Sequence, residues 1–231
     1  MEKKKILIIC RSFYPEISPR SFRATELAKE FARQGHEVTV YTFRYNSSHS
    51  NFADRNKFSI KYYSKKALPE LIIKKPKLLF YITKFFNKIH YLLYYYPYIE
   101  DTFKIPEAIK LEKGFDLLIS IAFPHSIHWG VGRALSKNGK PAKVWVADCG
   151  DPFVGNKLEM KRLFYFKYIE KWFCRKADYI SVPFENAKNA YFPEFRGKII
   201  VIPQGFSINN KLSEINNPGN KVPTFLYAGS F

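Results

Sequence analysis

Short apolar runs alternate with helical patterns along most of this chain. The first run, Ile6–Ile9, is continuously apolar, which is typical of a strand buried on both faces of a parallel sheet. Apolar residues at helical spacing follow from Ala24 to Ala32, and Val38–Phe43 predicts a second strand. Ser18 or Ser21 can cap the intervening helix. The chain therefore opens with a β-α-β unit.

The same alternation continues over the rest of the chain. Strands are predicted at Phe58–Tyr63, Asp116–Ile121, Val144–Ala147, Tyr179–Val182 and Ile199–Ile202, and helices at Ser126–Lys137, Leu158–Lys176 and Glu185–Tyr191. The polar stretch Asn46–Asn56 predicts a loop. Leu68–Glu112 reads as two or three helices with breaks near Pro76, Pro97 and Pro106. The fold class is α/β: a Rossmann-like, doubly wound parallel sheet with a helical insertion at 66–113.

The composition changes near the end of the chain. Residues 209–223 are polar and contain Pro218-Gly219, which is typical of a linker between domains. The apolar stretch 224–231 that follows resembles a first strand. We therefore expect one domain at 1–208, a linker, and the first strand of a second domain at which the chain ends.

Composition and charge narrow the class of partner. The 231 residues are 46% hydrophobic and carry a net charge of +18, which favours an anionic partner. The three cysteines, Cys10, Cys149 and Cys174, are far apart and match neither a zinc spacing nor a disulfide framework, so we expect a reducing cytoplasm and no metal. No signal peptide and no run long enough to span a membrane is evident.

The loop after the first strand lacks the glycines that nucleotide cofactors need. It contains neither G-x-G-x-x-G nor a P-loop, which argues against NAD, FAD and P-loop enzymes. A helix N-terminus with Arg20 and Arg23 nevertheless favours an anion. Ser18, Arg20 and Ser21 are therefore candidate acceptor ligands, or else simply part of a capped helix with solvated arginines.

Six segments resemble the N-terminal half of family 4 glycosyltransferases of the GT-B fold. They occur in the family's order: YPEISPRSFRATELAKEFARQGHEVTVYT, FDLLISIAFPHSIHWG, VADCGDPF, KADYISVP, KIIVIPQGF and FLYAGSF. The sequence departs from the family pattern where Ser18-Pro19-Arg20-Ser21 replaces a glycine pair and where Gln204 replaces a common asparagine. These departures bear on the contacts of the first loop.

The resemblance implies that the two halves of the enzyme bind different substrates. The N-terminal half holds the acceptor, and the C-terminal half grips a nucleotide-sugar, which is a co-substrate, so no cofactor is expected. Transfer would proceed with retention, and basic groups and helix N-termini would stabilise the leaving diphosphate without a metal. Gln204 and Gly205 would lie near the donor. Because the donor-binding elements of the family would lie beyond Phe231, we expect little transfer by this chain alone.

Two further loops contain candidate site residues. His125 resembles a family histidine that contacts the transferred sugar, and it is the candidate catalytic residue; alternatively it caps the following helix. His128 is interpreted as structural. Asp148 or Asp151 can accept hydrogen bonds from the acceptor, or form an Asx turn, and Gly150 is expected to allow a tight turn. Cys149 is interpreted as a buried filler, since no partner follows from the spacing.

The insertion combines lysines with aromatic residues, which suits an anionic membrane surface. Solvated lysines on a helical hairpin, or a single-stranded nucleic acid, are the alternatives, the last being unlikely. The candidate membrane residues are Lys74, Lys75, Lys77, Lys84, Lys88 and Phe85.

The sequence thus predicts the acceptor-binding half of a glycosyltransferase for polysaccharide or glycolipid assembly, with a glycan or lipid-linked acceptor. It would lie at the cytoplasmic face of the cell membrane. The alternatives are a non-catalytic subunit that needs a separate donor-binding chain, and a truncated remnant.

Overall fold

A seven-stranded, fully parallel sheet forms the centre of the molecule. The computed structural model describes residues 2–69, 76–155 and 162–205. The strands are β1 (Lys5–Cys10), β2 (Glu37–Thr42), β3 (Ser59–Tyr62), β4 (Phe115–Ile121), β5 (Ala142–Asp148), β6 (Tyr179–Val182) and β7 (Ile199–Val201), in the order β3-β2-β1-β4-β5-β6-β7. The order reverses between β1 and β4, so loops at the carboxyl ends of these two strands border the crevice where such sheets bind ligands.

Helices cover both faces of the sheet. They are α1 (Pro19–Arg33), α2 (His49–Asn56), α3 (Lys77–Tyr94), α4 (Asp101–Ala108), α5 (Ser126–Asn138) and α6 (Phe166–Lys176), with 3-10 turns at Tyr98–Glu100, Glu185–Ala190 and Pro193–Lys198. Alternate residues of β1 pack into different layers: Ile6 and Ile8 join the core under α1, and Leu7 and Ile9 join the core that contains α5 and α6. The predicted doubly wound α/β fold is confirmed.

The start of α1 follows the predicted capping. Ser18 is the N-cap, and its Oγ accepts a hydrogen bond from the backbone N–H of Ser21 at 3.2 Å. Gly35 follows the helix with φ +87°, a conformation that favours glycine. The local sequence therefore sets both ends of the helix that borders the crevice.

The prediction of a loop at Asn46–Asn56 is wrong, because His49–Asn56 forms α2. Helix α2 is held by tertiary contacts. His49 is buried and its Nε2 lies 2.6 Å from the backbone oxygen of Tyr14, while the rings of Phe52 and Tyr14 stack at 3.9 Å. Contacts of this kind outweigh a weak helical propensity.

Two other boundaries also differ from the sequence prediction. Pro106 lies inside α4 and does not break it; Ile105 and Pro106 are buried against α5, and Asn138 donates a hydrogen bond to the carbonyl of Pro106. Helix α6 begins at Phe166, although a helix was predicted from Leu158; residues 162–165 are not helical, and 156–161 lie outside the described residues. The predicted linker and the strand at 224–231 also lie outside them.

Candidate functional site

A small cavity of about 20 Å³ opens at the carboxyl ends of β1, β4 and β5. Arg20 reaches it from the first turn of α1, Phe123 and His125 from the loop after β4, and Gly150 and Asp151 from the loop after β5. The fold thus brings together candidates from three separate segments, the first of which is about a hundred residues or more from the other two in the sequence.

The guanidinium of Arg20 lies directly over Gly150. A Cβ at position 150 would fall 1.8 Å from Nη2 of Arg20, so any other residue there would displace the guanidinium. The backbone bends at Gly150 and Asp151, as expected, but without the positive φ of Gly35, Gly114 and Gly139, so the room that Gly150 leaves for Arg20 is its distinguishing feature. Nη2 of Arg20 donates to Asp151 at 3.1 Å, and its Nη1 is buried without a hydrogen-bond partner in the described part of the chain.

His125 presents a second buried polar atom without a partner. Its Nδ1 makes no hydrogen bond within the described residues, although the residue is only 5% exposed. Burial lowers the pKa of His125 well below its ordinary value; the nearby His128, Arg162 and Arg20 lower the pKa further, against a hydrogen bond to the backbone of Asp151. The imidazole is therefore neutral. It occupies the N-cap position of α5 but makes no side-chain cap, so the capping alternative is wrong.

A buried chain of hydrogen bonds lies behind His125. Nε1 of Trp145 donates to Oγ of Ser120 at 2.8 Å, Ser120 lies 2.8 Å from Nδ1 of His128, and Nε2 of His128 lies 3.2 Å from Sγ of Cys149. Since indole can only donate, the arrangement that satisfies every group has Ser120 donating to His128 and His128 donating to the sulfur.

The spacing of residues in the sequence did not predict a partner for Cys149. The thiol is buried, as expected for a filler, and burial raises its pKa. Its neighbour His128 comes from α5, which follows β4, while Cys149 follows β5. Because β4 and β5 pair in parallel, with Ile121 opposite Asp148, the ends of both strands meet. That pairing is the signal from which the contact could have been predicted.

His125, His128 and Cys149 have ligating atoms that all lie within 4.8 Å of one another, so their geometry could hold a metal ion. Two observations weigh against a cation. Burial lowers the pKa of both histidines, and Arg162 and Arg20 lower that of His125 further, whereas at His128 the carboxylate of Asp148 acts against Arg20. The thiol is protonated, and His128 is already hydrogen-bonded on both sides. The expectation of no metal stays a prediction.

The two candidate aspartates differ in environment. Asp148 is 3% exposed, and its carboxylate pairs bidentately with Arg23 at 2.6 and 2.7 Å and accepts from Oγ of Ser181 at 2.5 Å. Asp151 is exposed and lines the cavity with Arg20. Of the two, Asp151 is therefore the carboxylate that is open to a ligand. The role of Arg23 as partner of Asp148 was not foreseen.

A larger cleft of about 570 Å³ adjoins this cavity. Arg20 and Phe123 line both spaces, and Ser18 lines the larger one; its other lining residues are Arg11, Ser12, Glu16, Pro19, Phe43, Arg44, Ala67, Tyr98 and Pro124. The candidate Ser21 is 1% exposed and lines neither. Gln204 and Gly205 follow β7, are exposed, and line neither space.

The floor of the larger cleft is fixed by a buried ion network that the sequence did not reveal. Arg11 bonds Glu100 at 2.7 Å and Asp101 at 2.6 Å, and both acids are almost fully buried. Asp101 also accepts from Oγ of Ser126 at 2.8 Å. Burial raises the pKa of Asp101 to about 6, against the charge of Arg11. The network ties the insertion to the ends of β1 and α5.

Helix α3 has no buried residue. Most of its exposed apolar side chains recur at helical spacing on one face: Leu78, Tyr81, Ile82, Phe85, Phe86 and Leu93. Lys77, Lys84 and Lys88 are exposed, whereas Lys74 and Lys75 lie outside the described residues. Within the described part of the chain, no helix is long and apolar enough to cross a membrane.

Comparison with solved structures finds two glycosyltransferases that resemble this chain. A glycosyltransferase from Rickettsia africae ESF-5 matches with a TM-score of 0.50 and 14% identity, over 89% of this chain and 44% of that one. The calicheamicin glycosyltransferase CalG4 matches with a TM-score of 0.47 and 12% identity, over 89% of this chain and 53% of that one. This chain thus spans less than half the length of the first relative. No curated protein matches.

The family model for Glycosyltransferase Family 4 matches residues 22–210, which is most of the chain and includes every strand from β2 to β7. The match agrees with the Rossmann-like fold of GT-B glycosyltransferases described above. The chain belongs to Glycosyltransferase Family 4.

Proposed function

We propose that this domain binds the acceptor and orients the transferred sugar in a retaining, nucleotide-sugar-dependent glycosyltransferase for polysaccharide or glycolipid assembly. One observation carries the proposal: Nη1 of Arg20 and Nδ1 of His125 are both buried, lack partners among the described residues, and belong to residues that line one cavity. Leaving a buried polar group unsatisfied costs about 1–3 kcal/mol, which a ligand that offers an oxygen to Arg20 and a hydroxyl to His125 would recover.

The two groups suit different parts of a sugar substrate. Arg20 is permanently charged and donates to phosphate or to a sugar oxygen. His125 is neutral and donates its one N–H to the backbone of Asp151, so its free Nδ1 accepts a hydrogen bond from a sugar hydroxyl, which orients the sugar without adding charge. Asp151 supplies an exposed carboxylate for an acceptor hydroxyl. In this proposal the nucleotide of the donor is bound by residues outside the described domain, and no metal takes part.

A binding experiment tests the role of Arg20. Hexose phosphates are titrated into the full chain by calorimetry. Arg20→Ala should weaken binding about tenfold, since a charge-assisted hydrogen bond contributes about 1.5 kcal/mol. Arg55→Ala is the matched control, because Arg55 is an exposed arginine of α2 outside the cleft. Equal affinities of the two variants would overturn the proposal. Retention is tested separately, by the anomeric configuration of the product.

We also propose that α3 lies on an anionic membrane surface. Its outward apolar face and its three exposed lysines support this, because aromatic and aliphatic side chains seat at the headgroup level while lysines meet lipid phosphates. The chain should bind to vesicles of phosphatidylglycerol, and added salt should weaken this binding. Substituting Lys77, Lys84 and Lys88 by Glu should abolish it. Equal binding to neutral vesicles would contradict the electrostatic part.

A further inference from the structure

Tyr95 lies behind the wall of the small cavity. It is the C-cap residue of α3 and is fully buried. Its ring contacts those of Phe123 and Phe153 at centroid distances of 6.2 and 5.1 Å, and its hydroxyl oxygen accepts a hydrogen bond from the backbone N–H of His125 at 3.3 Å. All three of these residues line the cavity that contains Arg20, whereas Tyr95 does not. One buried side chain therefore contacts three parts of the cavity wall.

The backbone of Tyr95 has an unusual conformation. Its φ of +58° and ψ of +32° are left-handed, which favours glycine and is rare for a bulky side chain. In the described part of the chain, Lys57 is the other non-glycine residue with a positive φ, and that residue is exposed. A glycine at position 95 would relieve the strain but would remove the ring and the hydroxyl. The contacts of Tyr95 therefore outweigh the strain, and strain of this kind is typical of functional sites.

The hydroxyl distinguishes Tyr95 from a residue that only fills space. A phenylalanine would make the same ring contacts, including the one with Trp129 at 5.3 Å. A buried hydroxyl costs free energy unless it is hydrogen-bonded. His125 occupies the N-cap position of α5, where backbone N–H groups have no partner within the helix. Tyr95 supplies that partner and thereby fixes the backbone from which the imidazole projects.

The imidazole of His125 is also held through the loop after β5. Its ring contacts that of Phe153 at 5.1 Å, and it hydrogen-bonds the backbone of Asp151. Since Tyr95 packs on Phe153 at the same centroid distance, it contacts both the backbone of His125 and the ring against which the imidazole rests. A shift of either support would move Nδ1, the atom of His125 that has no partner among the described residues.

We infer that Tyr95 is a positioning residue that sets the orientation of His125 toward the transferred sugar. This inference rests on the proposed function and adds to it a residue outside the cavity lining. The alternative role is to anchor the end of α3, as the hydroxyl of Tyr165 does by donating to the carbonyl of Leu93. Loss of an anchoring hydroxyl changes stability alone, whereas loss of a positioning hydroxyl also changes the ring of His125.

Tyr95→Phe tests the inference because it removes only the hydroxyl. Hexose phosphates are titrated into the full chain by calorimetry, and the ring of His125 is followed by ¹⁵N NMR. Binding should weaken about fivefold, which corresponds to the loss of one hydrogen bond. The ring resonances of His125 should already differ from those of the parent chain before any ligand is added. Equal affinity, or ring resonances that match those of the parent, would overturn the inference.

Two variants that also remove a tyrosine hydroxyl are the controls. Tyr165→Phe removes the hydroxyl that anchors α3 at Leu93. Tyr41→Phe removes a hydroxyl of β2 that donates to Glu112 at 2.6 Å. Whatever their effect on stability, neither should change the affinity more than twofold or shift the ring resonances of His125. If Tyr165→Phe shifted these resonances as much as Tyr95→Phe does, the effect would belong to the anchoring of α3, which would contradict the inference.

The outcomes also distinguish this inference from the proposed function. If Arg20→Ala weakens the binding of hexose phosphates and Tyr95→Phe does not, the role of Tyr95 is overturned and the sugar site is left intact. If Arg20→Ala binds hexose phosphates as tightly as the parent chain, the proposed function is overturned. The role of Tyr95 in sugar binding is then overturned with it, even where the ring resonances of His125 shift.

Discussion

Helices α3 and α5 are both rich in apolar residues, yet the first has no buried residue and the second is largely buried. No residue of α3 is buried, whereas Ser126–Val131 of α5 is buried throughout. The difference lies in the small residues. A Cβ at Gly130 would fall 2.6 Å from the backbone oxygen of Asp101, and one at Gly132 would fall 3.1 Å from the ring of Trp172. Glycines let α4 and α6 approach α5 closely, and α3 has none.

The comparison teaches that apolar content alone does not decide burial. Helix α3 contacts the body through its C-terminal end, where the hydroxyl of Tyr165 donates to the carbonyl of Leu93 and Arg162 lies over the ring of Tyr91 at 5.0 Å. Its middle presents large rings to solvent. We therefore expect substitutions in α5 and its surroundings to change stability, and substitutions in α3 to change binding to surfaces and ligands.

The largest expected effect on stability comes from substituting Asp101, whose carboxylate accepts a hydrogen bond from Ser126 at the start of α5. Asp101→Ala should lower the free energy of unfolding by about 3–5 kcal/mol, because it leaves the buried Arg11 short of a partner. Glu107→Ala on the same helix is the matched control; its ion pair with Lys137 is exposed, so the loss should stay below about 1 kcal/mol. Urea denaturation measures both losses. Similar losses would contradict the prediction that the buried network stabilises the fold more than an exposed ion pair does.

The second effect concerns pH. Burial lowers the pKa of His128 to about 3, so the neutral ring contributes stability that is complete above pH 6.5 and is lost as the pH falls from 6.5 toward 3. Over this pH range His128 changes the free energy of unfolding by about 1.4 kcal/mol per pH unit. Glu170, whose pKa burial raises to about 7, contributes in the opposite direction, since its stabilising protonated form is lost as the pH rises from 4.5 to 7.

The contribution of His128 is therefore measured as the difference in pH dependence of the free energy of unfolding between the parent chain and a variant without the imidazole. The free energy of unfolding of His128→Asn should fall less steeply between pH 6.5 and 4 than that of the parent chain. His36→Asn, on the loop between α1 and β2, should retain the parent slope. Parallel curves for parent and His128→Asn would mean that His128 is not held neutral.

The smallest effect is expected on the exposed helix. Phe85 is 61% exposed, so Phe85→Ser should change the free energy of unfolding by less than about 0.5 kcal/mol while it weakens vesicle binding. Ile127→Ser in α5 is the contrasting variant; Ile127 is fully buried, and the loss should be about 3 kcal/mol or more. Comparable losses in the two variants would contradict the different burial of the two helices.

The sheet was predictable from the sequence because its signals are local. Continuous apolar runs indicated the strands, and Ser18 or Ser21 indicated the start of α1, where Ser18 is the N-cap. Helix α2 was missed because its stability comes from His49 and Phe52 packing on the Tyr14 loop, contacts between residues that are over thirty positions apart. Pro106 was read as a break because propensity does not register its burial against α5.

The candidate site was predictable in its parts but not in its connections. The sequence, with the family resemblance, singled out Arg20, His125 and Asp151, which the fold brings to one cavity. It did not show that Arg23 pairs with the carboxylate of Asp148, or that His128 contacts Cys149. Those pairs depend on strand order and on side-chain direction, which no local pattern encodes.

The most direct test of the Arg20–His125 site is the ¹⁵N NMR spectrum of the histidine rings during titration with hexose phosphates. The account predicts that the resonances of His125 shift with saturation while those of His36 do not. It also predicts that Gly150→Ala, whose Cβ would collide with the guanidinium of Arg20, weakens the response about tenfold with little loss of stability. A His125 spectrum that is unchanged at saturating hexose phosphate would contradict the assignment of this cavity as the sugar site.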